Sequence, residues 1–406
     1  MSYLNIIVKK YDKFLLGAIV VLCVFGTVML FSASSIRSLE ITSSRTDTLY
    51  LQAHLKRLLL GVVFMFFFMM VDYRKLKEWS LHILGGAVGL LVLTLVMNMI
   101  QGTSSPSRWL YLGPVSIQTS DIARIALIIF LAAFIHEKQE HIKDFYNGFL
   151  TCILAIGSIV MLVIIQPDLS TTTMILIISF VMLFLGGAKV QHMMATAGVS
   201  LTFLSIVIMN WDYMRSRIES FLNPETVRPE NLHQIKQSMI SLANGGFFGL
   251  GLGNSYGKNY FLPTPHTDFI FAIIGEETGL IGTLFVLTLF MFIFQRGIHI
   301  AKASPDIFGV MLALGISCSF ILYAFINAAV VTNLVPTTGL VMPLISYGGS
   351  GVVVHLASLG ILLNISQSKR SVNSDADWRK RIYGSDVDGS SRNNHVFTLT
   401  SSGNPF

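Results

Sequence analysis

Asp268 is the residue best placed to do chemistry in this chain of 406 residues. It lies in the run Leu262-Pro263-Thr264-Pro265-His266-Thr267-Asp268-Phe269-Ile270, where a long polar segment gives way to an apolar one. A carboxylate at the edge of hydrocarbon is costly unless it has a partner or a task there. Other uncommon polar residues recur where apolar runs begin or end. Arg108 and Trp109 precede the group Gln118, Thr119, Ser120, Asp121 and Arg124. Gln166-Pro167-Asp168 with Ser170 makes a tight turn, and Ser346-Tyr347-Gly348-Gly349-Ser350 opens the last apolar run. The cations Lys56, Arg57, Arg108, Arg124 and Lys236 could bind a polyanionic head group such as a diphosphate. Arginine suits phosphate because its planar fork donates two parallel hydrogen bonds. Asp268 could then take a proton from a hydroxyl attacking beside that diphosphate.

Each cluster also has a plainer explanation. Asp121 and Arg124, three apart, could neutralise each other on one helix. Gln166-Pro167-Asp168 could be a helix end and turn, and the Ser-Tyr-Gly-Gly-Ser run could serve close packing. Asp268 could be a helix N-cap. Glu276 and Glu277 follow Asp268 by eight and nine residues, about 12 Å deeper on a continuous helix, and call for a partner or a water-filled cavity.

The elements that must position these residues are transmembrane helices. Hydrophobic residues make up 53% and charged residues 12%, half the charge of a typical soluble domain, about 25%. Apolar runs near 14–31, 58–71, 79–97, 120–135, 148–166, 171–187, 192–210, 268–294, 307–332 and 344–365 suit a membrane crossing of about 20 residues. The fold expected is an all-α polytopic membrane protein with ten spans. Lys75, Lys77, Lys138, Lys143, Lys189, Arg296 and Lys302 then fall in short loops on one side, which the positive-inside rule makes cytoplasmic together with both termini. On that count the segments 35–57, 98–119, 211–267 and 333–343 lie outside, and every polar cluster reaches the outer face. The large extracytoplasmic loop 211–267, between spans seven and eight, is too long for a mere connector.

The remaining features exclude more than they promise. The net charge of +6 orients helices and gives no reason to expect nucleic acid. Cys23, Cys152 and Cys318 sit in apolar runs and read as small core residues. The glycine-rich stretch Gly245–Gly253 lacks the Gly-Lys-Ser/Thr ending of a phosphate loop and reads as a tight or re-entrant turn. The histidines have no metal-ligand spacing, so no metal site is expected. The tail 371–406 is polar and without apolar period, as a disordered cytoplasmic extension would be.

As a set, these motifs resemble the SEDS family of shape, elongation, division and sporulation proteins (FtsW, RodA and SpoVE). The stretches that carry the resemblance are Arg108 to Pro114, Gln118 to Arg124, Gln166 to Leu169, Gly245-Gly246 with Gly249 and Gly251, and His266 to Phe271. Asn327 and Pro336 through Ser350 complete them. The resemblance spans about residues 10–370, and Ala272 to Glu277 leans toward the division member. It implies a peptidoglycan glycosyltransferase that polymerises lipid II and releases undecaprenyl diphosphate outside the cytoplasmic membrane, at the septum. It implies a class B penicillin-binding protein and other division proteins as partners, and it maps the family's essential aspartate onto Asp268. No cofactor is implied, though a divalent cation could assist the diphosphate. Asp121 and Arg124 stand where the family pattern has Glu and Lys, and Thr264 where Glu is common. Asn333 stands at a usual glycine. Two other functions remain open: a flippase for the same lipid, and a non-catalytic scaffold of the division complex.

Overall fold

The computed structural model describes residues 11–43, 45–100, 108–112, 115–222, 229–258, 262 and 265–368. Met1–Ser368 forms one compact unit. The segment 371–406, expected as a disordered tail, lies outside the described residues.

The described residues build thirteen α-helices: α1 (Lys13–Ile41), α2 (Leu49–Met70), α3 (Tyr73–Glu78), α4 (Ser80–Ile100), α5 (Thr119–Glu137), α6 (Leu150–Ile165), α7 (Leu169–Leu185), α8 (Val190–Asn210), α9 (Asp212–Leu222), α10 (Pro229–Gly245), α11 (Ile270–Ala303), α12 (Ile307–Val331) and α13 (Gly351–Ser366). Among the described residues, eight helices are long and apolar enough to cross a membrane: α1, α2, α4, α5, α6 with its preceding π-turn, α8, α11 and α12. The apolar helices α7 and α13 are shorter, at 17 and 16 residues. Helices suit this environment because they satisfy their backbone hydrogen bonds internally.

Short carboxylate side chains start several of them. Asp12 Oδ1 accepts from Leu15 N at 2.9 Å, Asp168 Oδ1 from Thr171 N at 3.1 Å, and Asp306 Oδ1 from Gly309 N at 2.7 Å. α5 and α12 lie at the centre, packed on each other and on α7. α2 runs along α13, α4 along α5, and α1 along α11. α8 has no buried residue and leans on α7 and α9.

Several expectations need correction. The segment 35–57 is not an outer loop: α1 continues to Ile41 and α2 begins at Leu49. Serines do not stop α1 because they bond back to their own helix, as Ser38 Oγ does to the Ser34 carbonyl at 2.9 Å. Lys56 and Arg57 therefore ride on α2. The segment 98–119 holds the only strands among the described residues, an antiparallel hairpin of β1 (Trp109–Leu112) and β2 (Val115–Gln118), with Trp109 opposite Gln118. The last apolar helix starts at Gly351, so 344–350 is turn, not helix. The segment 211–267 contains the two amphipathic helices α9 and α10.

The glycine-rich turn packs into a break in α11. Gly279 has φ 67° inside that helix, and the freed backbone is taken up by the turn. Leu250 N donates to the Glu276 carbonyl at 2.9 Å and Gly251 N to that of Glu277 at 3.0 Å. In return, Leu280 N donates to the Gly246 carbonyl at 2.9 Å. The expected uninterrupted helix is therefore an interrupted one.

The expected 12 Å depth of the glutamates below Asp268 also fails. Ser32, which donates to Glu277 at 2.6 Å, lies 19 residues beyond Lys13, about 28 Å along α1. Asn327, which donates to the Asp268 carbonyl at 2.8 Å, lies 20 residues beyond Ile307, about 30 Å along α12. Both helices start at one end of the bundle. There Asp12 N bonds Ser366, Tyr73 N bonds Asn364, and the Tyr73 hydroxyl bonds Asp306. Measured along these two helices, Asp268 and the glutamates stand at similar heights.

Candidate active site

Asp268 lies in the turns that join 265–269 to α11. Its carboxylate faces a cavity of about 230 Å³ lined by Arg108, Trp109, Gln118, Asp121, Asp168, Thr171, Thr267, Tyr323 and the 339–351 loop. Each wall comes from a different element: the hairpin, the start of α5, the α6–α7 turn, α12 and the loop before α13. Asn327 fixes the Asp268 backbone, since its Nδ2 donates both to the Asp268 carbonyl and to that of Leu340, at 2.8 and 2.6 Å. Gly349 has no room for a side chain, because a Cβ there would meet the Trp109 ring at 2.5 Å. The indole thereby closes one side of the cavity.

Asp168 organises the opposite wall. It caps α7 through Thr171, takes a second bond from the Thr171 hydroxyl at 2.8 Å, and receives Gln118 Nε2 at 3.3 Å. The half-buried Arg108 pairs with it at 3.4 Å. Arg108 thus presents a guanidinium whose direction is set by a fixed carboxylate.

A second space opens beside the first. It measures about 320 Å³ and is lined by α7, α8 and α9 through Leu169, Met174, Ile177, Leu204, Ile208 and Ile218, with Pro336 to Thr338 across from them. Arg108 and Leu340 line both spaces. Arg217, on α9, lines the apolar one and donates to the Thr337 carbonyl at 3.2 Å. A polar chamber and an apolar groove therefore share a cationic border.

Burial pushes the Asp268 carboxyl above its ordinary value, and the charges of Arg217 and then Arg108 pull it back. A carboxylate raised in this way is a better proton acceptor than an exposed one. His266 moves the other way, down to about 4, because burial and the Arg37 charge disfavour its protonated form. It packs against Tyr50, with ring centroids 4.4 Å apart, and next to Tyr347.

The structure brings together only part of the expected set. Arg108, Gln118, Asp121, Asp168, Thr267, Asp268, Gly348 and Gly349 line the polar cavity. Ser346 lies behind it, accepting from Met342 N at 2.8 Å to hold the turn. Arg57 covers one face of Tyr347, its guanidinium carbon 4.8 Å from the ring centre. Lys56 and Lys236 are exposed on α2 and α10 and line neither space. Gln166 is buried and donates to the Leu91 carbonyl on α4. Arg124 is 1% exposed, paired with Asp121 at 3.4 Å, bonded to Ser319 and stacked over Tyr323, so it is not a cation open to a ligand.

Glu276 and Glu277 have partners of their own. Glu276 accepts from Tyr256 N and Gly257 N at 3.2 and 3.0 Å and from the Ser255 hydroxyl. Glu277 pairs with the buried Lys258 at 2.9 Å. Among the described residues, no group of three or more His, Cys, Asp or Glu could hold a metal ion.

Sequence reasoning missed Arg217, Tyr323 and Thr171. Arg217 sits in an amphipathic helix beside other charges, and nothing in its spacing singles it out. Thr171 carried a signal, being three residues after a predicted turn aspartate.

Comparison with known proteins gives a consistent picture. The family of cell cycle proteins that groups FtsW, RodA and SpoVE matches residues 13–371. A probable peptidoglycan glycosyltransferase FtsW of Geobacter sp. (strain M18) is 36% identical over 363 residues, covering 89% of this chain and 98% of the relative. Stage V sporulation protein E of Bacillus subtilis (strain 168) is 37% identical over 368 residues, covering 89% and 99%. Among solved structures, a chain of a peptidoglycan synthase complex aligns with TM-score 0.72 at 24% identity, over 88% of this chain and 97% of that one. The rod shape determining protein RodA of Thermus thermophilus aligns with TM-score 0.63 at 23% identity, over 89% and 98%.

Proposed function

The chain belongs to the FtsW, RodA and SpoVE family of cell cycle proteins, and from that premise we propose that it is a peptidoglycan glycosyltransferase that polymerises lipid II. The observation that carries this reading is the junction at Arg108, where a polar chamber holding Asp268 meets an apolar groove. A lipid-linked sugar has the same division, an apolar tail and a polar disaccharide joined by a diphosphate. The tail fits the groove between α7, α8 and α9, the sugars fit the chamber, and the diphosphate falls at the arginine border.

Chemistry then needs one proton acceptor and one place for negative charge. A sugar hydroxyl attacks the anomeric carbon that bears the diphosphate. The new C–O bond forms as the bond to the diphosphate breaks, and that oxygen keeps the electron pair. Asp268 accepts the hydroxyl proton, and Arg108 stabilises the departing diphosphate. Asp168, Thr171 and Gln118 hold Arg108 in position. Lys56 and Lys236 line neither space and take no part in the reaction, and Arg124 acts as the partner of Asp121.

The finer topology belongs to the same reading: ten spans, counting α7 and α13, with both termini cytoplasmic and Asp268 facing outside. The protein then works in the cytoplasmic membrane at the division septum, beside a class B penicillin-binding protein and other division proteins. A divalent cation could assist the diphosphate. One observation favours the alternative of a lipid II flippase: α11 is interrupted at Gly279, as helices of transporters often are. Its broken backbone is filled by the glycine-rich turn and does not line the cavity, which supports the enzyme instead.

The test is to give purified protein lipid II in vesicles and read glycan polymer and translocation separately. Polymer formation is the expected result. Translocation without any polymer would overturn this function in favour of the flippase.

A further inference from the structure

Arg217 lines the apolar space, which meets the polar chamber at Arg108 and Leu340. An ideal Cβ on Gly339 would lie 3.3 Å from Asp268 Oδ2 and 3.8 Å from Arg217 Nη1, so carboxylate and guanidinium flank one glycine. The Thr337 carbonyl anchors Nη1 from the loop side, and the rest of the side chain lines the groove. The two arginines differ in how their charge is met. Arg108 is matched by Asp168, itself fixed as the cap of α7. The charge of Arg217 acts on Asp268, and does so more strongly than that of Arg108.

Resting on the glycosyltransferase reading, we infer that Arg217 binds the diphosphate of the lipid-linked substrate opposite Arg108, and that this same guanidinium steadies Asp268 until the diphosphate arrives. A guanidinium has five N–H donors in a fixed fork, enough to keep the Thr337 carbonyl and offer two to phosphate. As the diphosphate takes a share of that charge, Asp268 loses part of the cation that favours its charged form and becomes a stronger base. The base is thus strengthened only when substrate is seated. When the anomeric bond breaks, the electron pair passes to the diphosphate oxygen between the two arginines, and the proton from the attacking hydroxyl passes to Asp268.

The test uses the full chain in nanodiscs, with fluorescent lipid II as ligand and undecaprenyl diphosphate as competitor. Arg217→Ala is expected to bind both about ten- to a hundred-fold more weakly than wild type, the loss typical of a charge-assisted contact. Arg217→Lys, which keeps the charge but not the fork, falls between them, with kcat reduced as well as affinity. Arg215→Ala is the control for disturbing α9, because Arg215 is exposed and paired with Glu219 at 2.6 Å. It leaves binding unchanged. Wild-type affinity for undecaprenyl diphosphate in Arg217→Ala would overturn the assignment. Should that variant not fold, wild-type affinity and kcat in Arg217→Lys would overturn it equally. A wild type that polymerises while Arg217→Ala binds normally sinks only the role of Arg217. A wild type that binds the diphosphate yet makes no polymer sinks the glycosyltransferase reading and leaves the diphosphate site standing.

Discussion

Arg124 and Asp121 illustrate how little a single residue's type reveals about its task. Their spacing on α5 left two roles open, an open phosphate cation or a mutual pair. The deciding contacts come from Ser319 and Tyr323 on α12, which no local pattern encodes. Arg124→Ala leaves the buried Asp121 uncompensated, so it should cost about 3–5 kcal/mol of stability. Thermal unfolding in detergent measures this, and an unchanged midpoint would remove the pair from the core. His266 gives a pH dependence at the same scale. Its folded-state value lies near 4, below the 6.5 of an ordinary imidazole. Between those limits the unfolded chain binds a proton that the folded protein does not, so stability falls as pH drops from about 6.5 to about 4. Replacing His266 by Gln should flatten that part of the midpoint-against-pH curve. An identical slope would mean that His266 is protonated in the fold. The departure at Asn333 also has a local reason: its φ is 55°, a left-handed conformation that asparagine tolerates better than most side chains.

At the scale of elements, hydropathy located the apolar helices but not their ends or interruptions. α1 outruns its apolar core because serine hydroxyls bond back along the helix. The hairpin escaped notice because four-residue strands carry almost no periodicity. The stretch Gly245–Gly253 was legible as a turn from its glycines, yet its seat in the break of α11 was not, since that seat depends on backbone groups alone. Gly249 is a point of close approach, with φ 80° and a hypothetical Cβ only 2.2 Å from the Glu277 carbonyl. Gly249→Ala should cost about 1–2 kcal/mol for the conformation and about 1–3 kcal/mol more for the crowding. Gly246→Ala, with φ 51° and open space around it, should cost only the first part. Hydrogen exchange over 246–258 reads the difference, and equal protection in both variants would show that the junction does not depend on close packing.

For the whole molecule, composition alone fixed the class, because so apolar a chain has nowhere to fold but a bilayer. The meeting of the chamber and the groove was not legible, since it joins residues from α5, α7, α9, α12 and two loops. Orientation is open to a direct check. A cysteine placed at the exposed Phe248 or Lys236 should react with an impermeant maleimide from outside spheroplasts, whereas one at Lys75 should react only after lysis. The reverse pattern would put the cavity on the cytoplasmic face. The role of Asp268 as proton acceptor in glycan polymerisation is tested most directly by Asp268→Asn. Purified variant and wild type are given lipid II at concentrations where both are loaded, and polymer is measured over time. Lipid II binding should be unimpaired and the rate at least about 100-fold lower, as expected for loss of a general base. Polymer made at the wild-type rate by the loaded variant would contradict that role.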